Sequence, residues 1–220
     1  STLPLATIQV TGDDALEFLQ GQLSTDLERL DAEAEIRAAW CTPKGRVIWF
    51  GTVSRTESGY ALSAPADLAE EVVRKLTVFR FRSRVEFAID ADGGSVDASF
   101  LVTHGYPFIG PQQSEDFTPH MLNLDLLDAI SLDKGCYTGQ EIVARTHYRG
   151  KTKRRCLRFE SSTPASPGDK VYEGDRAVGE VVNAAGTDLL AVVPVDKFSA
   201  ALTIDGAALR YVPLPYLDDS

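Results

Sequence analysis

Lys134-Gly135-Cys136-Tyr137-Thr138-Gly139-Gln140-Glu141-Ile142-Val143-Ala144-Arg145 is the stretch from which the fold of this chain is read. Thr138 and Glu141 fit the S/T-x-x-E capping box, in which the two side chains satisfy each other's free backbone N–H groups at a helix start. Ile142 and Val143 then supply an apolar face. Cys136 is expected just before the helix N-cap, where unpaired N–H groups and the positive end of the dipole favour an anion. Lys134 is two residues away. Both influences lower a thiol pKa below its free value of about 8.5. Gly135 and Gly139 leave room for close approach of a ligand or for unusual dihedrals. Two readings stand side by side: a reactive thiol beside an anion-binding helix end, or a small residue buried in a tight turn, since free cysteines are among the most buried residue types. A Cys–His hydrolase needs a histidine partner; His104, His120 and His147 are candidates only through the fold, and His147 is expected along the helix, away from its start. Cys41 and Cys156 fall in expected strands and read as core.

Charge concentrates around the same stretch. Residues 134–158 hold eight basic residues and one acid, Glu141, in a chain whose net charge is −10. An acidic protein with one basic band has a local preference for anions: a phosphate, a polycarboxylate tail or nucleic acid. The simpler reading is a solvated basic helix end and strand. The acidic whole argues against broad nonspecific DNA coating. The 220 residues, 44% hydrophobic and 25% charged, suit an ordinary soluble globular protein of one or two domains. No run approaches the ~18 apolar residues of a membrane span, and no signal peptide is visible at the start. The three cysteines contain no CxxC pair, which argues against a disulfide framework or a structural zinc site. The three histidines show no metal-ligand spacing, so no metal site is expected. These features suit a reducing cytoplasm.

Upstream, residues 4–10 read as a strand, and Gly12-Asp13-Asp14 opens a helix with Ala15, Phe18, Leu19, Leu23 and Leu27 on one face, restarting near Ser24 or Thr25. Residues 34–41 and 46–54 read as a hairpin turning at Thr42-Pro43-Lys44-Gly45, 59–63 as a third strand, and 84–90 as another. Between the last two, a helix starting at Pro65 or Asp67 turns Leu68, Val72, Val73 and Leu76 inward. This is an α+β pattern. Asp92-Gly93-Gly94-Ser95 is a turn, and residues 107–128 are mostly loop with a short helix expected at 122–127. Beyond Gly150, short β-rich runs (154–160, 169–173, 178–184, 188–194 and 208–212) have the rhythm of a small barrel or sandwich. The expected organisation is an α+β domain over 1–150 and a small β-barrel domain over 151–220.

The stretch Lys134–Glu141 resembles the signature of the YgfZ family of folate-binding proteins, a branch of the superfamily that contains the glycine-cleavage T-protein, an aminomethyltransferase. Other segments are similar too: Gly12-Asp13-Asp14-Ala15 with Phe18-Leu19-Gln20-Gly21-Gln22 and Asp26; Pro43-Lys44-Gly45-Arg46; Phe117-Thr118-Pro119 with Asn123-Leu124-Asp125; Tyr148-Arg149-Gly150 with Lys153-Arg154-Arg155; and Pro213-Leu214-Pro215-Tyr216. The resemblance covers nearly the whole chain, with length missing between about 90 and 100.

This resemblance implies an α+β body with a ferredoxin-like half, a small C-terminal β-barrel and a channel for tetrahydrofolate. It implies support for the assembly or repair of iron–sulfur enzymes, with tRNA modification affected, and iron–sulfur client or assembly proteins and tRNA as partners. Cys136 and Lys134 match the positions on which the family depends, and Tyr137, Gln140, Glu141 and Arg145 are the expected folate-contacting residues, with Lys153 beside Arg145 for the glutamate tail. Two departures stand out. T-proteins carry an aspartate just after the hairpin glycine where this chain has Val47-Ile48-Trp49, and an apolar run moves no proton. Many folate-binding members have a glutamate where this chain has Thr103. The alternatives are an aminomethyltransferase-like enzyme and an RNA- or protein-binding module without catalysis.

Overall fold

The computed structural model describes residues 1–217; residues 218–220, the end of the expected C-terminal domain, lie outside the described residues. Strand β1 (Thr2–Thr11) alternates, burying Ala6, Ile8 and Val10 on one face. Helix α1 (Ala15–Gln22) lays Ala15, Phe18 and Leu19 on that face. The expected restart is a 3-10 turn, Leu27–Asp31, capped by Asp26, whose carboxylate accepts the Glu28 N–H at 3.0 Å. Strands β2 (Glu35–Cys41) and β3 (Val47–Thr56) form the expected hairpin, followed by β4 (Gly59–Pro65), α2 (Ala69–Arg80) and β5 (Glu86–Asp90).

The sheet runs β2-β3-β4-β1-β5 with every neighbouring pair antiparallel. With β2 set aside as an added edge, β1-α1-β3-β4-α2-β5 in the order β3-β4-β1-β5 is the ferredoxin-like arrangement. Both helices cover one face, where Ile8, Leu19, Trp49, Leu62 and Leu76 pack together. A tight turn after β5 leads to β6 (Ser95–Asp97), which pairs with the start of β1.

Three local expectations fail, each for a visible reason. Helix α3 (Ala98–His104) forms where none was expected: Asp97 caps it by accepting the Ser99 N–H, and Gly105 closes it in the left-handed conformation. The short helix at 122–127 does not form; Asn123 and Asp128 both take positive φ (61° and 58°), which leaves a chain of turns. Helix α4 (Gln140–Arg149) starts without the capping box, because Gly139 is its N-cap and no side chain caps it.

The C-terminal strands β7 (Arg154–Ser161), β8 (Lys170–Glu173), β9 (Arg176–Ala185), β10 (Asp188–Pro194), β11 (Leu202–Ile204) and β12 (Ala207–Val212) close into a barrel, β10-β7-β12-β11-β8-β9. Phe159, Val171, Val181, Leu189 and Val193 fill its interior. The alternate residues Cys156, Val182, Leu190 and Val192 point outward, yet are buried against Ala39, Cys41 and Val47 of the sheet's second face and against Phe117, Leu122 and Leu124 of the turns. Barrel and sheet thus share one apolar seam, and the 134–149 segment lies between them in the chain. No helix among the described residues is long and apolar enough to cross a membrane.

Candidate functional site

The last carbonyls of a helix lack partners within it. Those at the end of α1 are met by the signature loop. The Lys134 ammonium donates to the carbonyls of Gln20 (2.9 Å), Leu23 (2.8 Å) and Thr25 (3.1 Å), three acceptors for three N–H bonds. A cation at this pole also suits the helix dipole. Burial pulls the lysine down to about 8 from its ordinary 10.5, opposed by the nearby Asp26 carboxylate. Asp26 is itself held low, first by the Gln20 side-chain amide (2.7 Å) and then by the Glu28 N–H.

The rest of the loop is tied down in turn. The Thr138 N–H donates to the Gly21 carbonyl at 3.1 Å. The Thr138 hydroxyl, expected to cap α4, instead donates to Gln22 Oε1 at 3.1 Å, and the same oxygen accepts from the Trp40 indole at 3.0 Å. Gln140 Nε2 lies 3.3 Å from the carbonyls of Lys134 and Gly135 and closes the loop from the other side. Tyr137 is buried, its ring 5.3 Å from Lys134 Nζ, and burial raises its phenol well above the usual range.

Two glycines let the loop dock on the β2–β3 hairpin. Gly139 has φ +86°, and a Cβ there would stand 2.7 Å from the Thr42 carbonyl oxygen. Gly45, φ +77°, leaves the space that Ile142 fills; its Cβ would lie 2.8 Å from Ile142 Cγ2. The segments flagged separately in the sequence, the α1 end, the hairpin turn and the signature, therefore form one contact.

What this framework leaves free is Cys136. Its side chain is exposed, whereas Cys41 and Cys156 are buried and burial pushes their thiols up to about 12. Lys134 is engaged by carbonyls, and among the described residues no hydrogen bond joins it or any histidine to the Cys136 sulfur. Glu141 and Arg145, expected to contact folate, form an ion pair with each other (2.9 Å) on the exposed face of α4. The arrangement brings Lys134, Tyr137 and Gln140 together and sets Glu141 and Arg145 apart.

Joined to this framework through Thr25 is a cavity on the sheet face opposite α1 and α2. The Thr25 hydroxyl lies 2.6 Å from the Arg37 carbonyl, while Thr25's own carbonyl accepts from Lys134. The Arg37 guanidinium donates to the Leu127 carbonyl (3.0 Å) and the Tyr106 hydroxyl (2.9 Å) and lies over the Tyr106 ring. Arg37, Glu35, Phe50, Phe100, Tyr106 and Phe108 line a cavity of about 390 Å³, within the range of small-molecule sites. Sequence reasoning missed Arg37 and these aromatics, because α3 and residues 106–108 are brought to the sheet only by the fold.

Relatives share this plan over most of the chain. A protein of Colwellia psychrerythraea named tRNA-modifying protein YgfZ is 38% identical over 265 aligned positions, covering 89% of this chain and 81% of the relative. The chain belongs to the YgfZ/CAF17 family. Another tRNA-modifying protein YgfZ, from Sodalis glossinidius, is 26% identical and covers 96% of this chain and 90% of its own length. The family description "CAF17, C-terminal beta-barrel domain" matches residues 153–216, the barrel of this YgfZ/CAF17 member. The fold extends further: the crystal structure of the glycine cleavage system aminomethyltransferase T from Bartonella henselae superposes with a TM-score of 0.70 over 97% of this chain and 84% of that one, at 15% identity. That likeness establishes the α+β body with its barrel, as the YgfZ resemblance implied.

The basic band is smaller in space than in sequence. Lys134 is occupied by carbonyls, Arg145 by Glu141, Arg155 by Asp125 and Arg158 by Asp188. Among the described residues, Arg149, Lys151, Lys153 and Arg154 have no ion-pair partner; the first three are exposed and Arg154 is partly so.

Proposed function

We propose that this chain is a folate-binding accessory protein of the cytoplasm that supports the assembly or repair of iron–sulfur enzymes, and through them tRNA modification, with Cys136 as its reactive group. The carrying observation is the exposed thiol of Cys136 in a loop whose Lys134, Thr138 and Gln140 side chains are engaged. A thiol presented in this way meets a client protein or a metal centre without local unfolding.

Tetrahydrofolate fits the aromatic cavity in size and character. Phe50, Tyr106 and Phe108 would hold the pterin plane, and Glu35, at the rim, offers a carboxylate for the pterin's donor edge in place of Thr103, which does not line the cavity. The folate supplies one-carbon carrier chemistry when bound. Arg37, on the cavity wall, is joined through Thr25 to the Lys134 framework, which supports placing the folate there. Aminomethyl transfer is left out: Val47, Ile48 and Trp49 are all buried, and none brings a group able to move a proton. The four unpaired cations at the exit of α4 would receive the glutamate tail of folate or the phosphates of tRNA. We divide the chain at about residue 150 into the folate-binding body (1–150) and the barrel (151–220).

The test is complementation of a bacterial strain lacking its own YgfZ, read as iron–sulfur enzyme activity. The wild-type chain restores it. Cys136→Ser does not, yet keeps its melting temperature and its quenching of tetrahydrofolate fluorescence. Full restoration by Cys136→Ser would remove the thiol from the function.

A further inference from the structure

His120, Asp125 and His147 converge where the 118–129 turns meet α4. One ligand atom from each lies within 4.8 Å of those of the other two. His120 Nε2 stands 3.9 Å from Asp125 Oδ2, and the two imidazole centroids are 5.8 Å apart. His120 is only 2% exposed, and among the described residues neither of its ring nitrogens has a hydrogen-bond partner. Protein interiors pair nearly all such groups with protein, water or ion, so an orphaned buried imidazole points to a missing ligand. An imidazole nitrogen without a hydrogen-bond partner has a lone pair to give to a metal ion.

Asp125 is prepared in the same sense. Arg155 donates to both its oxygens at 2.9 Å and so fixes the plane of the carboxylate, leaving the second lone pair of each oxygen open. His147 is exposed on α4, and among the described residues no hydrogen bond holds its ring. A tetrahedral ion with bonds of about 2.0–2.2 Å needs donor atoms roughly 3.3 Å apart, so closing the set takes rotation of the exposed His147 side chain together with a small approach of His120 to Asp125, now 3.9 Å apart.

We propose that His120, Asp125 and His147 form a zinc site, with its fourth position open to solvent. Two neutral imidazoles and one carboxylate are donors that suit Zn²⁺, and three protein ligands plus water complete a tetrahedron. The Arg155 charge keeps the affinity moderate. His120 and Asp125 precede the signature loop in the chain and His147 follows it, so one ion would clamp both ends of the segment that presents Cys136. No sequence spacing announces the site, because its third ligand arrives from a separate element.

The experiment is a titration of chelator-treated full-length protein with zinc chloride, followed by calorimetry and by thermal melting. The expected result is one zinc per chain and a rise in melting temperature with zinc. His147→Ala, an exposed change, keeps the zinc-free melting temperature, loses the zinc-dependent rise and weakens binding at least about tenfold. His120→Gln weakens binding likewise, while Cys136→Ser leaves it intact, and Co²⁺ substitution gives no thiolate charge-transfer band. Absence of binding overturns the proposal. So does undiminished binding by His147→Ala, or loss of binding in Cys136→Ser, which would place the metal on the signature thiol.

Discussion

In the barrel, β7 is paired with β10 on one side and β12 on the other, and side chains alternate between the barrel interior and the seam with the body. In the loop 134–140 there is no strand and no helix before Gln140; its order comes from Lys134, Thr138 and Gln140 bonding to carbonyls and one amide, and from two glycines that allow the hairpin to approach. Barrel order is spread over a ladder and an apolar filling, so single polar changes there alter little. Loop order depends on a few side-chain bonds, each with one purpose, and its product is the position of one sulfur. Stability and function therefore respond to different residues.

The largest expected effect is on the barrel. Phe159→Ala empties a fully buried interior position and should lower stability by about 3–5 kcal/mol in denaturant unfolding, while the fraction that remains folded labels at Cys136 as before. Gly139→Ala is expected to cost on the order of 1–3 kcal/mol, from positive φ and from the Cβ meeting the Thr42 carbonyl, and should also alter Cys136 labelling because the hairpin must shift. Equal effects of both substitutions on labelling would erase the contrast between the two regions.

Lys134→Met removes the donor that the carbonyls of Gln20, Leu23 and Thr25 share and should cost on the order of 1–3 kcal/mol. Its pH signature is distinctive. The folded-state pKa is about 8 against an ordinary 10.5, so between those values the unfolded chain binds more protons and stability rises with pH. The stability of the wild type relative to Lys134→Met should grow as pH is raised from about 8 to about 10.5, measured by urea unfolding across that window. A flat difference would mean the ammonium is not buried. The smallest effect is Thr138→Ala, about 1 kcal/mol from the lost bond to Gln22, with no loss of α4 helicity, since this threonine does not cap the helix.

Sheet strands β1 to β5, helices α1 and α2 and five of the barrel strands are legible in the sequence because each carries its own period of burial over five or more residues or sits between clear turn signals, whereas β6 has only three residues. β11 has three residues, too few for a period. α3 has seven and was announced only by the Asp97 cap and Gly105. The capping box at 138–141 misled because local pattern competes with long-range partners: Gln22 takes the Thr138 hydroxyl, and Gly139 starts the helix one residue later. The same limit hid much of the candidate site. Cys136 and Lys134 stand out in the sequence, but the target of Lys134 is the end of a helix more than a hundred positions earlier, and the His120–Asp125–His147 cluster is assembled only by the packing of α4 on the turns.

The central claim is that the fold exposes one sulfur and hides two. Native protein treated with iodoacetamide near neutral pH, with the three cysteine peptides followed by mass spectrometry, tests it directly. Cys136 is expected to be modified first, while Cys41 and Cys156, 1% and 0% exposed, stay unmodified until the chain is unfolded. Slow labelling of Cys136, in step with the two buried thiols, would contradict it.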